Sequence, residues 1–271
     1  MNYSELKSKI DENEFNFKKK YGQNFIIDEN IINSIITKAD IDKETLVIEV
    51  GPGAGSLTRK LVLKAGFVLC YEIDKSLKPL LDDIECSNIK IIYEDFLKVN
   101  VQEELQKYSF KKIFVASNLP YYITTPIILK FIEDKIPVDK IIVMVQKEVG
   151  NRFKAKVNTK DYSSLSIFLN YYFDVSKIMD VSKNVFLPKP NVDSIVVEFD
   201  RKKRQVYVKN EDLFFKLIRD SFKQKRKTIK NNLIDYDLEK IESILKKHHF
   251  SLSSRAESIP IEIFIDIANN L

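Results

Sequence analysis

The chain contains only six glycines, and three of them, Gly51, Gly53 and Gly55, stand together directly after the apolar run Leu46-Val-Ile-Glu-Val50. A buried strand that runs into such a turn, with a helix predicted from Ser56 to Ala65, opens an α/β sheet. Glycine allows the backbone to turn there and to approach a ligand closely. More strand-like runs follow at Phe67–Ile73, Ile89–Asp95, Lys112–Ser117 and Lys140–Val145, alternating with helical segments. Residues 28–200 are therefore predicted to form a Rossmann-like α/β sheet with helices on its faces. A helix near Ser163–Phe173 comes next, then strands Val175–Val181 and Ser194–Phe199. The loop between these last two holds Pro188 and Pro190, and the pair is read as an antiparallel edge.

Composition shifts at Arg201-Lys-Lys-Arg204, taken as the boundary between a first domain, 1–200, and a small all-helical second one, 201–271. Beyond it Phe214, Ile218, Phe222, Ile229 and Leu233 recur on one helical face, and Arg219, Lys223, Arg226 and Lys230 on the adjoining one. Lys225 interrupts the apolar stripe, so either the helix breaks there or that side chain snorkels. Further helices are predicted at Leu238–Lys247 and Ile261–Ala268. From Arg201 to Lys230 twelve Lys and Arg face three acids, a net +9 in a chain whose total is +5, so the remainder carries −4. Such a block points to a polyanion, most simply nucleic acid, with a plainly solvated Lys-rich surface as the alternative. The 44% of hydrophobic residues, with 18 Phe and 12 Tyr, exclude a disordered chain. Cys70 and Cys86 match no metal or redox spacing, and the amino-terminal residues contain no apolar signal segment. A cytoplasmic protein that binds neither metal nor membrane is expected.

The turn Gly51-Pro-Gly-Ala-Gly55 lacks the final spacing of G-x-G-x-x-G, which disfavours a dinucleotide pyrophosphate on the following helix. Glu72, 21 residues after Gly51, ends the second strand, where a carboxylate can accept from both hydroxyls of a ribose. Asp95 ends the third and can accept from an adenine amine or otherwise close the pocket. Acids suit a cationic cofactor without phosphate. S-adenosylmethionine, a sulfonium on an adenosine, has both properties. Asn118-Leu-Pro-Tyr121, 67 residues past Gly51, follows the fourth strand. The Asn118 side-chain oxygen and the carbonyl of Leu119 or Pro120 can accept both N–H groups of an exocyclic amine, and Tyr121 can stack on the base that carries it. The same four residues also suit an ordinary polar loop.

Together these segments resemble those of a known family. Tyr21-Gly-Gln-Asn-Phe25, Glu49-Val-Gly-Pro-Gly-Ala-Gly55, Tyr71-Glu-Ile-Asp74, Glu94-Asp-Phe96, Asn118-Leu-Pro-Tyr-Tyr-Ile-Thr-Thr-Pro126 and Asn184-Val-Phe-Leu-Pro-Lys-Pro-Asn-Val-Asp-Ser194 look like the ribosomal RNA adenine N6-dimethyltransferases. Met144-Val-Gln-Lys-Glu-Val149, the basic segment Phe222–Leu233 and Arg255-Ala-Glu257 resemble the small-subunit branch, and the likeness covers about residues 15–271. The resemblance implies dimethylation, dependent on S-adenosylmethionine, of two adjacent adenines in the 3′-terminal hairpin of 16S ribosomal RNA. The substrate would be an immature small subunit and the enzyme a monomer. The catalytic domain would span 1–200 with a basic N-terminal arm, and an RNA-docking domain 201–271.

Residue by residue, the resemblance assigns Gln23, Asn24 and Ile26 to the methionine end of the cofactor. Gly51 and Gly53 would line it, Glu72 would hold its ribose, Asp95 with Phe96 its adenine, and Ile73 would also border the cofactor. Asn118 would touch both cofactor and target, with Leu119 and Pro120 beside it, and Phe186 would stack on the base opposite Tyr121. Lys18, Lys19 and Lys20, with Arg219, Lys223, Arg226, Lys227 and Lys230, would dock on phosphates. Tyr122 departs from the pattern, since many members carry Asn there. The chemistry implied is in-line displacement without a metal or a covalent enzyme intermediate, driven largely by proximity and orientation. The only histidines, His248 and His249, fall in the C-terminal part. Three other readings stay open: a large-subunit adenine methyltransferase of the resistance type, an assembly factor whose binding matters more than its methylation, and a nicotinamide oxidoreductase, against which the turn spacing weighs.

Overall fold

The computed structural model describes residues 3–203 and 206–271, with Lys19 described through its backbone only. Arg204 of the basic block, and the phosphate contact expected of the Lys19 side chain, lie outside the described residues. The chain forms two compact units. One runs to Gly150 and resumes over Ser176–Arg201; the other combines Asn151–Val175 with Lys202–Leu271. The composition change after residue 200 therefore marks only one of the crossings between them. Residues 151–175 group with the C-terminal part because Tyr162, Ile167 and Tyr171 share an apolar cluster with Phe214, Leu217 and Phe264. A scan of composition along the chain is blind to that pairing.

The first unit is built on strands β1 (Phe25–Ile26), β2 (Thr45–Val50), β3 (Phe67–Tyr71), β4 (Ile89–Ile92), β5 (Lys112–Asn118), β6 (Lys140–Gln146), β7 (Phe173–Val181, from Ser176 on), β8 (Phe186–Leu187) and β9 (Ser194–Arg201). β1 and β8 pair with each other, and the other seven form one sheet in the order β4-β3-β2-β5-β6-β9-β7. Neighbours from β4 across to β6 run parallel, and β9 runs antiparallel to β6. This is the Rossmann-like sheet expected, with β9 and β7 at one edge. All six residues of β2 are buried, as a strand covered on both faces requires. Helix Glu29–Ala39 buries Ile32, Ile35, Ile36 and Ala39 at i, i+3, i+4 and i+7, and Asp28 caps it by accepting from the Asn30 and Ile31 N–H groups.

β3 and β4 end at Tyr71 and Ile92, earlier than the apolar runs suggest. The reason is local. Asp74 and Asp95 each accept a backbone N–H two residues on, from Ser76 and Leu97, and so start short 3-10 turns. Glu72 and Asp95 consequently stand in loops just past their strands. Those loops, with the ones after β2 and β5, gather at the C-terminal edge of the sheet, where the strand order reverses and α/β proteins place their ligands.

The second unit is helical, with segments Ser164–Tyr172, Glu211–Ser221, Ile229–Asn232, Leu238–Lys247 and Ile261–Asn270. The apolar stripe from Phe214 to Leu233 is not one helix. It breaks after Ser221, and the Asn232 side chain donates to the Ser221 and Gln224 carbonyls that the break exposes. Periodicity cannot show this, because the seven residues from Phe222 to Thr228 keep the phase of the stripe. Phe214, Leu217 and Ile229 are fully buried, each worth roughly 1.5–3 kcal/mol of apolar burial. No helix among the described residues is long and apolar enough to cross a membrane.

Candidate active site

The segment Tyr21–Ile26 and the loops after β2, β3, β4 and β5 surround a cleft of about 880 Å³, open mouth included. All ten residues expected at the cofactor line it. The charged residues of the lining are Glu49, Glu72, Glu94 and Asp95, and no Lys or Arg among the described residues belongs to it. That lining favours a cation and repels a pyrophosphate.

Glu72 is 4% exposed and ties the cleft together. One carboxylate oxygen accepts from the Gly53 N–H at 3.1 Å, the other from the Asp74 N–H at 2.8 Å. Each oxygen keeps a lone pair for a further donor. Burial pushes its pKa up to about 7, against the opposing pull of those two N–H groups. Gly53 has φ +59, and a Cβ there would stand 2.8 Å from the Phe25 ring, so this turn excludes a side chain on two counts. Glu49, which sequence reasoning does not single out although it opens the glycine motif, is 1% exposed; burial raises its pKa to about 8. The Tyr71 hydroxyl and Ser56 Oγ, also on residues of the cleft, are buried without a hydrogen-bond partner. Buried polar atoms of this kind call for a partner, which an ordered water or a ligand group supplies.

Beside Glu72 the chain is braced from the amino-terminal side. Gln23 accepts from the Lys18 N–H at 2.7 Å and donates to Asp74 at 2.7 Å, so its amide is committed to the fold. Lys18 itself pairs with Asp74 at 2.6 Å and with Ser76 at 2.6 Å. Burial would raise the Asp74 pKa, but Lys18, Ser76 and Gln23 outweigh it and hold it low. Lys18, expected at a phosphate, is thus drawn into an internal ion pair while its side chain stays partly exposed. Lys20 lies over the Tyr21 ring, 4.5 Å from its centroid. Asp95 has one oxygen on the Leu97 N–H and the other 3.8 Å from Lys98, and Phe96 packs edge-on against Tyr71.

Asn118 ends β5 with its amide already aimed. Its Nδ2 donates to the Asn24 carbonyl at 2.8 Å. Since a carbonyl only accepts, the side-chain oxygen must be the end left free. Of the two carbonyls that could serve with it, that of Pro120 is taken by the Thr124 hydroxyl at 3.1 Å and the Ile123 N–H at 3.3 Å. The Leu119 carbonyl has no donor among the described residues, so the acceptors left open here are Asn118 Oδ1 and Leu119 O. Tyr121 is anchored through its hydroxyl, 2.7 Å from Ser194 Oγ. It lines both the acid-walled cleft and a second recess bordered by Asn24, Gln146 and Pro188–Val192.

Phe186 stands elsewhere than expected. It is 3% exposed, packs in the main apolar core, and pairs across β1/β8 with Ile26. The recess that Tyr121 lines is bordered by the Pro188–Val192 segment and does not include the Phe186 ring. The aromatic of the motif is buried because β8 is needed to hold β1, and with it Asn24, in place.

Residues 14–271 match the family described as "Ribosomal RNA adenine dimethylase". The chain belongs to the ribosomal RNA adenine dimethylase family. It is 50% identical over 238 residues to "Ribosomal RNA small subunit methyltransferase A" of Staphylococcus aureus, covering 86% of this chain and 80% of that protein. Two solved structures share the fold at 24% identity: a dimethyladenosine transferase from Plasmodium falciparum (TM-score 0.74, covering 90% of this chain and 95% of that one) and the 23S rRNA methyltransferase ErmE (TM-score 0.71, covering 92% and 99%).

In this rRNA adenine dimethylase the C-terminal cations keep their charge available. Arg219, Lys223, Arg226, Lys227 and Lys230 are exposed, and no carboxylate lies within 4.0 Å of them among the described residues. Arg219 also lies over the Phe168 ring at 5.9 Å. Tyr122, the departure from the family pattern, is 53% exposed and packs its ring against Gly22 at the mouth of the cleft. Nothing local marks Ser194 as an anchor, although it closes the motif that begins at Asn184, because its partner lies 73 residues away.

Proposed function

We propose that this dimethylase transfers methyl groups from S-adenosylmethionine to the N6 amines of two adjacent adenines in the 3′-terminal hairpin of 16S ribosomal RNA, in an immature small subunit. The observation that carries the reading is the acceptor pair, Asn118 Oδ1 and Leu119 O, at the wall between an acid-lined cleft and a recess flanked by Tyr121. The cleft suits the cofactor: Glu72 presents free lone pairs for a ribose, Gly51 and Gly53 leave room for it, and Glu72, Glu94 and Asp95 offer carboxylates to a cation. When bound, the cofactor supplies an electrophilic methyl group on sulfur. The adenine amine is a weak nucleophile because its lone pair is drawn into the ring. Accepting from both its N–H groups favours a pyramidal nitrogen whose lone pair points into the cleft, and Tyr121 holds the ring in that pose. The surplus proton leaves to water. The exposed cations from Arg219 to Lys230 supply register on the phosphates without reading bases. The name carried by the 50%-identical relative supports the small subunit as substrate.

The test is incubation with radiolabelled cofactor and undermethylated small subunits, followed by mapping of the labelled nucleotides. Label on two neighbouring adenines of the 3′-terminal hairpin is expected. Label on isolated 23S RNA, with none on small subunits, would refute the assignment.

A further inference from the structure

β6 ends at Gln146, directly opposite Ser194 in the ladder with β9. Cross-strand partners project from the same face of a sheet, with Cβ atoms about 4.5–5.5 Å apart. Ser194 is fully buried and holds the Tyr121 hydroxyl. Gln146 is thereby fixed beside the phenol end of the ring on which the target base would stack, and it lines the same recess. Gln23, Asn24 and Asn118 each commit their amides to protein groups. The Gln146 side chain, half-buried, has no such partner among the described residues. Asn191, another amide at this recess, sits exposed on a loop and lacks the support of the ladder.

We infer that Gln146 reads the target base, donating from Nε2 to a ring nitrogen of the adenine, N1 or N7. The inference rests on the proposed function and adds a specificity-determining residue to it. Adenine presents an acceptor nitrogen on either side of its amine, and carboxamides recognise it through the amine and the neighbouring nitrogen together. Here the amine is held by Asn118 and Leu119, so a donor set next to that grip meets N1 or N7. A strand is a better mount than a loop for such a contact, because its position is fixed before the base arrives. The plainer alternative, a solvated amide at a strand end, predicts no dependence on ring nitrogens.

The experiment uses small subunits reconstituted with 16S RNA bearing adenine, 1-deazaadenine or 7-deazaadenine at the target. Methyl transfer by wild type and Gln146→Ala is compared under single turnover at saturating cofactor. The wild-type advantage should be about tenfold on adenine and on one analogue, and should vanish on the other, which names the nitrogen. Any intrinsic effect of the analogue on the amine cancels in that ratio. Gln146→Glu, which offers only acceptors at neutral pH, should be at least as slow as Gln146→Ala on adenine. An equal advantage on all three substrates overturns the inference, as does a variant as fast as wild type on adenine. Cofactor affinity measured by calorimetry should be unchanged in Gln146→Ala; a parallel loss there would assign the residue to the cleft's architecture and overturn it too. Failure of the wild-type protein to label adenine at all would instead count against the proposed function itself.

Discussion

Asn118→Ala separates the aim of the proposed acceptor from the integrity of the cleft. The substitution removes two things: the bond from Nδ2 to the Asn24 carbonyl at 2.8 Å, and the free Oδ1. The first is one neutral hydrogen bond, worth about 1 kcal/mol, so cofactor affinity should stay within roughly tenfold of wild type. The second is a preorganised group facing charge that grows only as the amine reacts. Removing one such group from an oxyanion hole costs on the order of 10²–10³ in rate, and a loss of that size is expected here. Asn118→Asp sharpens the test. It retains an acceptor but sets a carboxylate oxygen against the Asn24 carbonyl, so nothing holds the remaining oxygen in line. Its rate should fall nearly as far as that of the Ala variant. The assay is single-turnover methyl transfer to undermethylated small subunits, with calorimetry for the cofactor. An Ala variant within a few fold of wild type would refute the acceptor role, and a fully active Asp variant would refute the part played by Asn24.

Other expectations follow from the charges of the cleft and of the helical unit. Glu72 ionises near pH 7, and its carboxylate form is the one that accepts ribose hydroxyls and faces a cation, so affinity for S-adenosylmethionine should rise as pH increases through about 7. Glu72→Gln should abolish that dependence and weaken binding at least about tenfold, because an amide NH₂ must oppose the N–H of Gly53 or of Asp74. Binding curves from about pH 6 to 8.5 decide it; a pH-independent wild type would contradict the assignment. Glu49 has its folded pKa raised to about 8 from an ordinary 4.5, so the folded state holds the proton more tightly and its contribution to stability is lost as pH rises through that window. Glu49→Gln should flatten that decline, by an amount on the order of a few kcal/mol between about pH 5 and 9 in urea denaturation of the cofactor-free protein, and parallel curves would sink the argument. Arg226→Glu with Lys230→Glu should weaken subunit binding and lower the slope of log K against log salt by roughly one for each phosphate no longer neutralised. An unchanged slope would remove those two residues from the docking face.

The parts of this fold that are legible in the sequence are those whose determinants lie close together in the chain. A buried strand, three glycines and a helix within about twenty residues announce the first βα unit and its ligand turn. The acids that follow the next two strands are recognisable as residues of the cleft, but the apolar runs place them inside the strands, because such a run does not show where a side chain will cap a turn. What stays hidden depends on pairings across long separations. Tyr162, Ile167 and Tyr171 belong with Phe214 and Phe264, which no local pattern reveals, and so a composition change captures only one of the unit crossings. The break after Ser221 is hidden for the opposite reason: a seven-residue excursion returns to the same helical phase.

The same distinction explains the site. Asn118 and Tyr121 are conspicuous as a motif, yet the motif does not say which end of the amide is free or which carbonyl is its companion. Asn24 settles the first from 94 residues away, and Thr124 with Ile123 settles the second by occupying Pro120. Ser194 fixes Tyr121 from 73 residues away. Phe186 resembles a stacking residue in its type and its neighbours, but its strand is used to hold the Phe25–Ile26 strand that carries Asn24 to Asn118. The residues proposed to touch substrate are therefore readable in sequence as chemistry, while the ones that aim them are readable only as geometry. Substitutions in that second group should lower the rate of methyl transfer more than they lower affinity for the cofactor, which is the opposite of what loss of Glu72 should do.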